Sequence, residues 1–165
     1  MSEAPVIEEA TAEDRIAIAH LNVWAYREFS NELGAEVWPG MVKTLTAIAP
    51  AGETATFLVV REEDGLLGSV AYRPPGWAPP PMPIAWASVD LLAVAPNARN
   101  EGFARALVQA CLDRAAADGA DTIGATVNGL MTGAQALFSG LGFHKEQGVG
   151  KRGAQPYWLF RKELE

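Results

Sequence analysis

The apolar positions follow two different periods along the chain, and together they predict an alternation of helices and strands. Helical spacing of apolar residues occurs over about 12–28, 36–48, 102–117 and 132–140. Short β-branched and aromatic runs bounded by turn residues predict strands at 5–9, 56–61, 66–72, 86–94, 121–127, 143–149 and 155–161. The strand–helix–strand order from 86 to 127 is typical of a parallel pair joined by a crossover helix. The chain is therefore expected to form an α/β fold (an α+β mixed sheet) of about six to seven strands and about four helices.

A proline-rich segment interrupts this pattern between the predicted hairpin and the strand at 86–94. Residues 73–83 contain six prolines, and proline has no amide hydrogen to donate within a sheet. The segment is therefore predicted to be a loop, and its stiff prolines favour a semi-rigid flap. It also carries Trp77, which is a candidate substrate contact because an exposed tryptophan in a stiff loop suits a ligand or a partner.

Composition narrows the class of protein. The chain has 165 residues, the size of one domain over 1–165, and a net charge of −7, which disfavours nucleic acid as a partner. The single Cys111 excludes a disulfide framework, and no metal site is expected. The N-terminus shows no signal peptide, and the uncharged run over 122–143 contains glycines and polar residues, so no membrane span is predicted. A cytoplasmic location is the expectation.

The segment over 91–107 carries the clearest chemical pattern. A strand ends before Pro96, a short loop follows, and a helix opens at Gly102. The free amides at the start of such a helix form a cradle for a phosphate or pyrophosphate. The same small residues would equally suit a tight turn that only packs a helix against a strand. The segment by itself leaves both interpretations open.

Two motifs in order favour the cradle. Residues 94–104 fit V-x-P-x-x-R-x-x-G-x-A, and residues 127–143 align with V-N-x-x-N-x-x-A-x-x-L-Y-x-x-L-G-F. The pair resembles the GNAT superfamily of acyl-CoA-dependent N-acyltransferases. A dinucleotide-binding fold is disfavoured because no G-x-G-x-x-G follows a strand. The resemblance implies a central mixed sheet with a splayed parallel strand pair, acetyl-CoA or coenzyme A as cofactor, and transfer of an acetyl group to a primary amine.

The resemblance also implies which residues hold the cofactor. Backbone amides over 99–104 would bind the pyrophosphate, and the strand before them would pair with the pantetheine arm. The implied set comprises Leu92, Ala93, Val94, Arg99, Asn100, Glu101, Gly102, Phe103, Ala104, Met131, Ala134 and Phe138. Three of these depart from the family. Met131 replaces an asparagine, Glu101 is an acid within the pyrophosphate loop, and Phe138 replaces the tyrosine that often protonates the leaving thiolate.

Asp90 is the candidate catalytic residue. A strand alternates its side chains, so Asp90 is expected on the same face as Leu92 and Val94, near the thioester. It would then accept the proton of the substrate ammonium, directly or through water, or orient the amine. Alternatively, the carboxylate is bonded to Ser88 or a loop amide, or reaches solvent.

The acceptor is a small-molecule or peptide amine that the sequence does not specify. The aromatic residues Trp24 and Phe29 lie on or between the first two helices, which border the acceptor pocket in the family. They are candidate substrate contacts, although aromatic residues at helical spacing more often belong to a core. Similar proteins are commonly dimers, so a homodimer is an expectation. A catalytically silent acyl-CoA-binding module and a partner-binding module are the alternatives to an enzyme.

Overall fold

The computed structural model describes residues 5–152 and 155–165. A seven-stranded mixed sheet runs through the molecule in the order β1-β2-β3-β4-β5-β7-β6, which confirms the predicted fold class. All neighbouring strands are antiparallel except β4 and β5, which are parallel. The strands are β1 Ile7–Glu9, β2 Thr56–Glu62, β3 Gly65–Arg73, β4 Ala87–Val94, β5 Thr122–Asn128, β6 His144–Arg152 and β7 Gln155–Glu163.

Helices cover both faces of this sheet. The core under α4 and α5 contains Leu107 and Phe138, and the core on the other face contains Ile18 and Leu45 of α1 and α2. Cys111 is fully buried in the first core, where burial raises the pKa of its thiol to about 12. The helices are α1 Arg15–Tyr26, α2 Ser30–Thr46, the single turn α3 Ile48–Ala51, α4 Phe103–Ala117 and α5 Thr132–Gly140.

The second helix differs from its predicted range of 36–48. It begins at Ser30 and contains a kink at Gly34, whose φ of 81° only glycine adopts readily. It ends at Thr46 because Ala47, with a ψ of 58°, leaves the helical conformation. Pro50 then lies inside α3, in the first turn of a helix, where an amide donor is not required.

The parallel pair separates part-way along its length. The residues paired between β4 and β5 are Ala87 with Ile123, Ser88 with Gly124 and Val89 with Ala125. Both strands then continue, to Val94 and Asn128, without a further pair to each other among the described residues. The splayed pair that the resemblance implied is therefore present, and the gap it leaves lies in the middle of the sheet.

The segment between β1 and α1 is tied to β2 by an ion pair. The Asp14 carboxylate accepts hydrogen bonds from both terminal nitrogens of Arg61, at 2.8 and 2.9 Å, and from the Thr11 amide at 2.8 Å. The Arg61 guanidinium and the Thr11 amide lower the pKa of Asp14 to about 2. Asp14 thus holds the start of the helical segment against β2.

Residues 74–83 of the proline-rich segment contain no strand, as predicted, whereas Arg73 belongs to β3. We call residues 74–86, which connect β3 to β4, the proline flap. Within the part of the chain that the structure describes, no helix has the length and apolar character needed to cross a membrane.

Candidate functional site

A cavity of about 450 Å³ lies where β4 ends and α4 begins. The chain turns there through two residues with left-handed backbone, Asn100 at a φ of 65° and Gly102 at a φ of 86°. Gly102 is the residue immediately before α4, so the first amides of that helix, which have no partner within it, lie beside the cavity. We call this cavity the cradle. Of the predicted cofactor residues, those that line it are Leu92, Ala93, Val94, Arg99, Asn100, Gly102, Phe103, Ala104, Met131 and Ala134.

Charged residues around the cradle are partly paired. Arg99 forms an ion pair with Glu28 and donates a second hydrogen bond to the Ala25 carbonyl at 2.9 Å. Arg105 also lines the cradle, whereas Glu101 is exposed and does not. The carboxylate of Glu101 therefore lies outside the cavity wall. Among the lining residues, the negative charge of Glu28 is balanced by Arg99.

A second cavity of about 190 Å³, which we call the chamber, adjoins the cradle. The two cavities share the lining residues Tyr26, Leu92, Met131 and Ala134. The chamber extends along the gap between the splayed strands, from Val89 and Asp90 of β4 to residues 125–128 of β5. Among the described residues that line it, Asp90 carries the only formal charge. A ligand in the cradle and a second ligand in the chamber would therefore meet beside Leu92.

The expectation that Asp90 shares a face with Leu92 and Val94 is wrong. Asp90 lies opposite Ala71, which belongs to the core under α1–α3, whereas Leu92 packs against the core under α4 and α5. A bulge between them reverses the alternation. It is centred on Leu91, which has a φ of 54°, and the pairing of β3 with β4 shifts at this point. Asp90 nevertheless lines the chamber, because β4 and β5 are no longer paired beyond Val89.

The Asp90 carboxylate is held on both oxygens. Its Oδ1 accepts a hydrogen bond from the Leu91 amide at 2.8 Å, and its Oδ2 lies 3.3 Å from Nη1 of Arg73. Nε of Arg73 in turn donates to the Thr54 hydroxyl at 3.0 Å. The Asp90 side chain remains 39% exposed, so it has room for a further donor. The carboxylate thus both supports the bulge and faces the chamber.

Tyr26 is the functional candidate that the sequence motifs do not reveal. Its hydroxyl donates a hydrogen bond to the Leu92 carbonyl at 2.8 Å, which joins the end of α1 to the bulged part of β4. Burial raises the pKa of the Tyr26 hydroxyl well above its usual range, and the negative charge of Asp90 raises it further. The phenol is therefore a neutral hydrogen-bond donor at neutral pH. Only its position on the helix face toward β4 could have suggested this role.

Phe138 and Asn128 complete the chamber. Phe138 is 3% exposed and stacks edge-to-face on Phe143, with ring centroids 5.0 Å apart. The Asn128 side-chain oxygen accepts a hydrogen bond from the Leu130 amide at 2.9 Å, whereas its Nδ2 is buried and has no partner among the described residues. Asn128 belongs to the second motif, but it is not among the site residues predicted from the sequence.

The predicted substrate contacts are dispersed. Phe29 lines the cradle rather than the chamber. Trp24 is 45% exposed and Trp77 is 56% exposed, and neither lines the cradle or the chamber. Across residues 5–152 and 155–165, His, Cys, Asp and Glu side chains form no group of three that could hold a metal ion.

The fold and the two cavities define a class: an α/β protein whose mixed sheet splits in its middle, beside a cavity at the start of a helix. The sequence comparison places the chain within that class. The model of the acetyltransferase (GNAT) family matches residues 17–143, and the chain belongs to that family. No curated protein matches the chain in sequence.

Solved structures with this fold share little sequence with the chain. A GNAT-family acetyltransferase from Bacillus cereus is 17% identical, with a TM-score of 0.71 and coverage of 99% of both chains. The ribosomal-protein-S18-alanine N-acetyltransferase of Escherichia coli is 18% identical, with a TM-score of 0.71 over 98% of this chain and 95% of that one. The protein yncA of Salmonella typhimurium, solved with acetyl-CoA, is 18% identical, with a TM-score of 0.67 over 99% and 95% of the two chains.

Proposed function

We propose that the protein transfers an acetyl group from acetyl-CoA to a primary amine. The observation that carries this proposal is the junction of the two cavities at the β4 bulge. There, a cradle for anions adjoins a smaller chamber whose only charge among the described lining residues is Asp90. Arg73, which does not line the chamber, pairs with one oxygen of this carboxylate, yet the Asp90 side chain stays 39% exposed and can accept a hydrogen bond from a cationic ligand such as an ammonium group.

The cradle residues fit coenzyme A. Free amides of the first turn of α4 and the Arg105 guanidinium are donors suited to a pyrophosphate. The edge of β4 beyond Val89, which β5 leaves unpaired, offers backbone groups at Leu92 and Val94 to the amides of a pantetheine arm. The acetyl-CoA in the related yncA structure supports this choice of cofactor. Bound acetyl-CoA supplies an acetyl group that its thioester activates toward attack by an amine.

The residues of this chain have separate roles in the proposed reaction. Asp90 accepts the proton of the substrate ammonium, directly or through one water, and holds the resulting amine in the chamber. Tyr26 fixes the bulged backbone at Leu92, where the two cavities meet. Phe138 excludes water from the inner end of the chamber and cannot supply a proton. The nitrogen loses its second proton on becoming an amide, and this proton, carried by water, is available to the leaving thiolate in place of one from Phe138.

The test is a panel of primary amines incubated with acetyl-CoA, with free thiol release and the acetylated product both measured. Calorimetry with coenzyme A alone serves as the binding readout. Release of thiol that depends on the amine, with a product acetylated on nitrogen, supports the proposal.

Phe138, in the place of the family's tyrosine, makes a silent acyl-CoA-binding module the second candidate. Coenzyme A binding without turnover on any amine would favour that module over the enzyme. Absence of both binding and turnover would instead favour a domain that only binds a partner.

A further inference from the structure

The proline flap has a fixed shape. The Gly76 amide donates a hydrogen bond to the Ile84 carbonyl at 2.7 Å, and the Met82 amide donates to the Pro79 carbonyl at 3.1 Å. Ala78 and Met82 are each only 6% exposed. The flap is therefore folded onto the body of the protein by its own hydrogen bonds and by two buried side chains.

The flap docks on β5 at Gly124. A Cβ atom at Gly124 would lie 2.8 Å from Sδ of Met82 and 2.7 Å from Cε3 of Trp86, which is closer than carbon atoms approach in proteins. Gly124 pairs with Ser88 of β4 just before the two strands separate. Because Gly124 has no side chain, β5 offers a docking position, or seat, for the flap at the end of the gap where β4 and β5 are still paired.

The docked flap forms part of the chamber wall. Pro79, Pro80 and Met82 line the chamber together with Met41 and Leu45 of α2. These five side chains are apolar, and the chamber of about 190 Å³ is smaller than the roughly 300 Å³ at which drug-sized ligand pockets begin. The wall therefore leaves room for a narrow apolar group beside the carboxylate of Asp90.

We propose that the proline flap determines the acceptor specificity of this protein, restricting the acceptor to a primary amine on a slender, unbranched body. This inference rests on the proposed function, because it assigns the amine to the chamber. Asp90 holds the ammonium, and the flap side chains pack along the carbon chain behind it. A branched body requires the space that Met82 fills.

The experiment compares two isomeric amines, n-hexylamine and 2-ethylbutylamine, which differ in shape but not in composition. Their dissociation constants are measured by calorimetry with coenzyme A present, and their kcat/KM values with acetyl-CoA. The variants are Met82→Ala, which enlarges the chamber, and Gly124→Ala, which displaces the seat of the flap. Gly140→Ala in α5 is the matched control, because a Cβ there meets nothing within 4 Å and Gly140 lines neither cavity.

We expect the wild-type protein to prefer n-hexylamine at least five-fold, in both binding and kcat/KM. Met82→Ala should reduce that preference at least three-fold without changing the affinity for coenzyme A. Gly124→Ala should weaken the binding of both amines, and Gly140→Ala should match the wild type. An unchanged preference in folded Met82→Ala would overturn the role of the flap while leaving acetyl transfer intact. Failure of the wild type to bind or acetylate either amine, although it binds coenzyme A, would overturn the assignment of an amine to the chamber.

Discussion

The Tyr26 hydroxyl donates a hydrogen bond to the Leu92 carbonyl across 2.8 Å and thereby links the C-terminal end of α1 to the bulge of β4. Two residues before Leu92, Asp90 accepts a hydrogen bond from the Leu91 amide at 2.8 Å. Leu91 has a left-handed backbone, a conformation that is unfavourable for residues other than glycine, asparagine and aspartate. Two side chains thus hold a strained residue at the point where the cradle and the chamber meet.

Removing the Tyr26 hydroxyl should weaken the attachment of α1 to the bulge of β4. Tyr26→Phe leaves the Leu92 carbonyl without its donor, which should cost about 1–3 kcal/mol of unfolding free energy and lower kcat more than it raises the KM for acetyl-CoA. Tyr72→Phe is the matched control, because it deletes a comparable hydrogen bond, to Asp118 at 2.7 Å, that lies outside both cavities. Denaturant unfolding and steady-state kinetics on both variants test the prediction. Equal kinetic losses in the two variants would show that Tyr26 acts only on stability.

Replacing the carboxylate of Asp90 should abolish most of the turnover. Asp90→Asn retains an oxygen that can accept from the Leu91 amide, so the bulge is expected to persist while the proton acceptor is lost. The kcat should fall by about 10²-fold or more, and coenzyme A affinity should stay the same. If kcat remains near that of the wild type, Asp90 supports the bulge and takes no proton.

The left-handed backbone at Gly102 should be needed for cofactor binding. Gly102→Ala forces a side chain onto a φ of 86°, which should cost about 1 kcal/mol and turn the first amides of α4 away from the cradle. Gly119→Ala imposes the same kind of strain at the other end of α4, at a φ of 75° and with no atom within 4 Å of its Cβ. Calorimetry should show at least ten-fold weaker coenzyme A binding only in Gly102→Ala. Similar affinities in both variants would refute the cradle.

Restoring the family's tyrosine at position 138 should leave turnover unchanged or raise it modestly. A thiol with a pKa of about 8.5 is a fairly good leaving group, so a general acid helps but is not required. Phe138→Ala should instead destabilise the protein by about 3–5 kcal/mol, because the ring packs on Phe143 and Phe160 in the core. Kinetics and thermal unfolding separate the two effects. A large loss of turnover in folded Phe138→Tyr would mean that the apolar ring itself shapes the site.

The unfolding free energy should decrease at low pH because Asp14 becomes protonated. Its pKa is lowered from 3.8 to about 2 in the folded protein, chiefly by the hydrogen bonds from Arg61. A lowered folded-state pKa means that the stabilisation is fully present above pH 4 and is lost as the pH falls through about 2. Unfolding free energies of wild type and Asp14→Asn should therefore converge across this window. Arg61→Gln removes the main hydrogen-bond donor to Asp14. In that background, Asp14→Asn should change the unfolding free energy at neutral pH less than it does in the wild type. Curves that stay parallel down to pH 2 would contradict this account.

The sequence predicted the local features of the site better than the tertiary ones. The cradle follows from a strand, a loop and a glycine at a helix start, all contiguous in the chain, and these residues do line one cavity. The bulge at Leu91 could not be predicted, because leucine carries no signal for a left-handed backbone. It is supported by contacts with Tyr26 and Asp90 that only the folded chain brings together.

The proline flap likewise shows that local structure could be predicted from the sequence whereas tertiary contacts could not. Its proline content predicted a stiff loop, which the structure contains. The docking position of the loop depends on Gly124, which lies in β5. Its lack of a side chain makes room for Met82 and Trp86, and this contact forms only in the folded protein. The kink of α2 was not predicted, because the predicted helix began at 36, beyond Gly34, whose non-helical backbone joins the two halves of α2.

The split between β4 and β5 gives the sheet four edges instead of two. Besides β1 and β6, the distal parts of β4 and β5 leave backbone donors and acceptors facing the gap. Exposed strand edges are sites at which another chain can add and start aggregation. A ligand whose own amides occupy the gap would protect these inner edges as well as enter the reaction. The lifetime of the protein in concentrated solution should therefore rise with the concentration of coenzyme A, even when no amine is present.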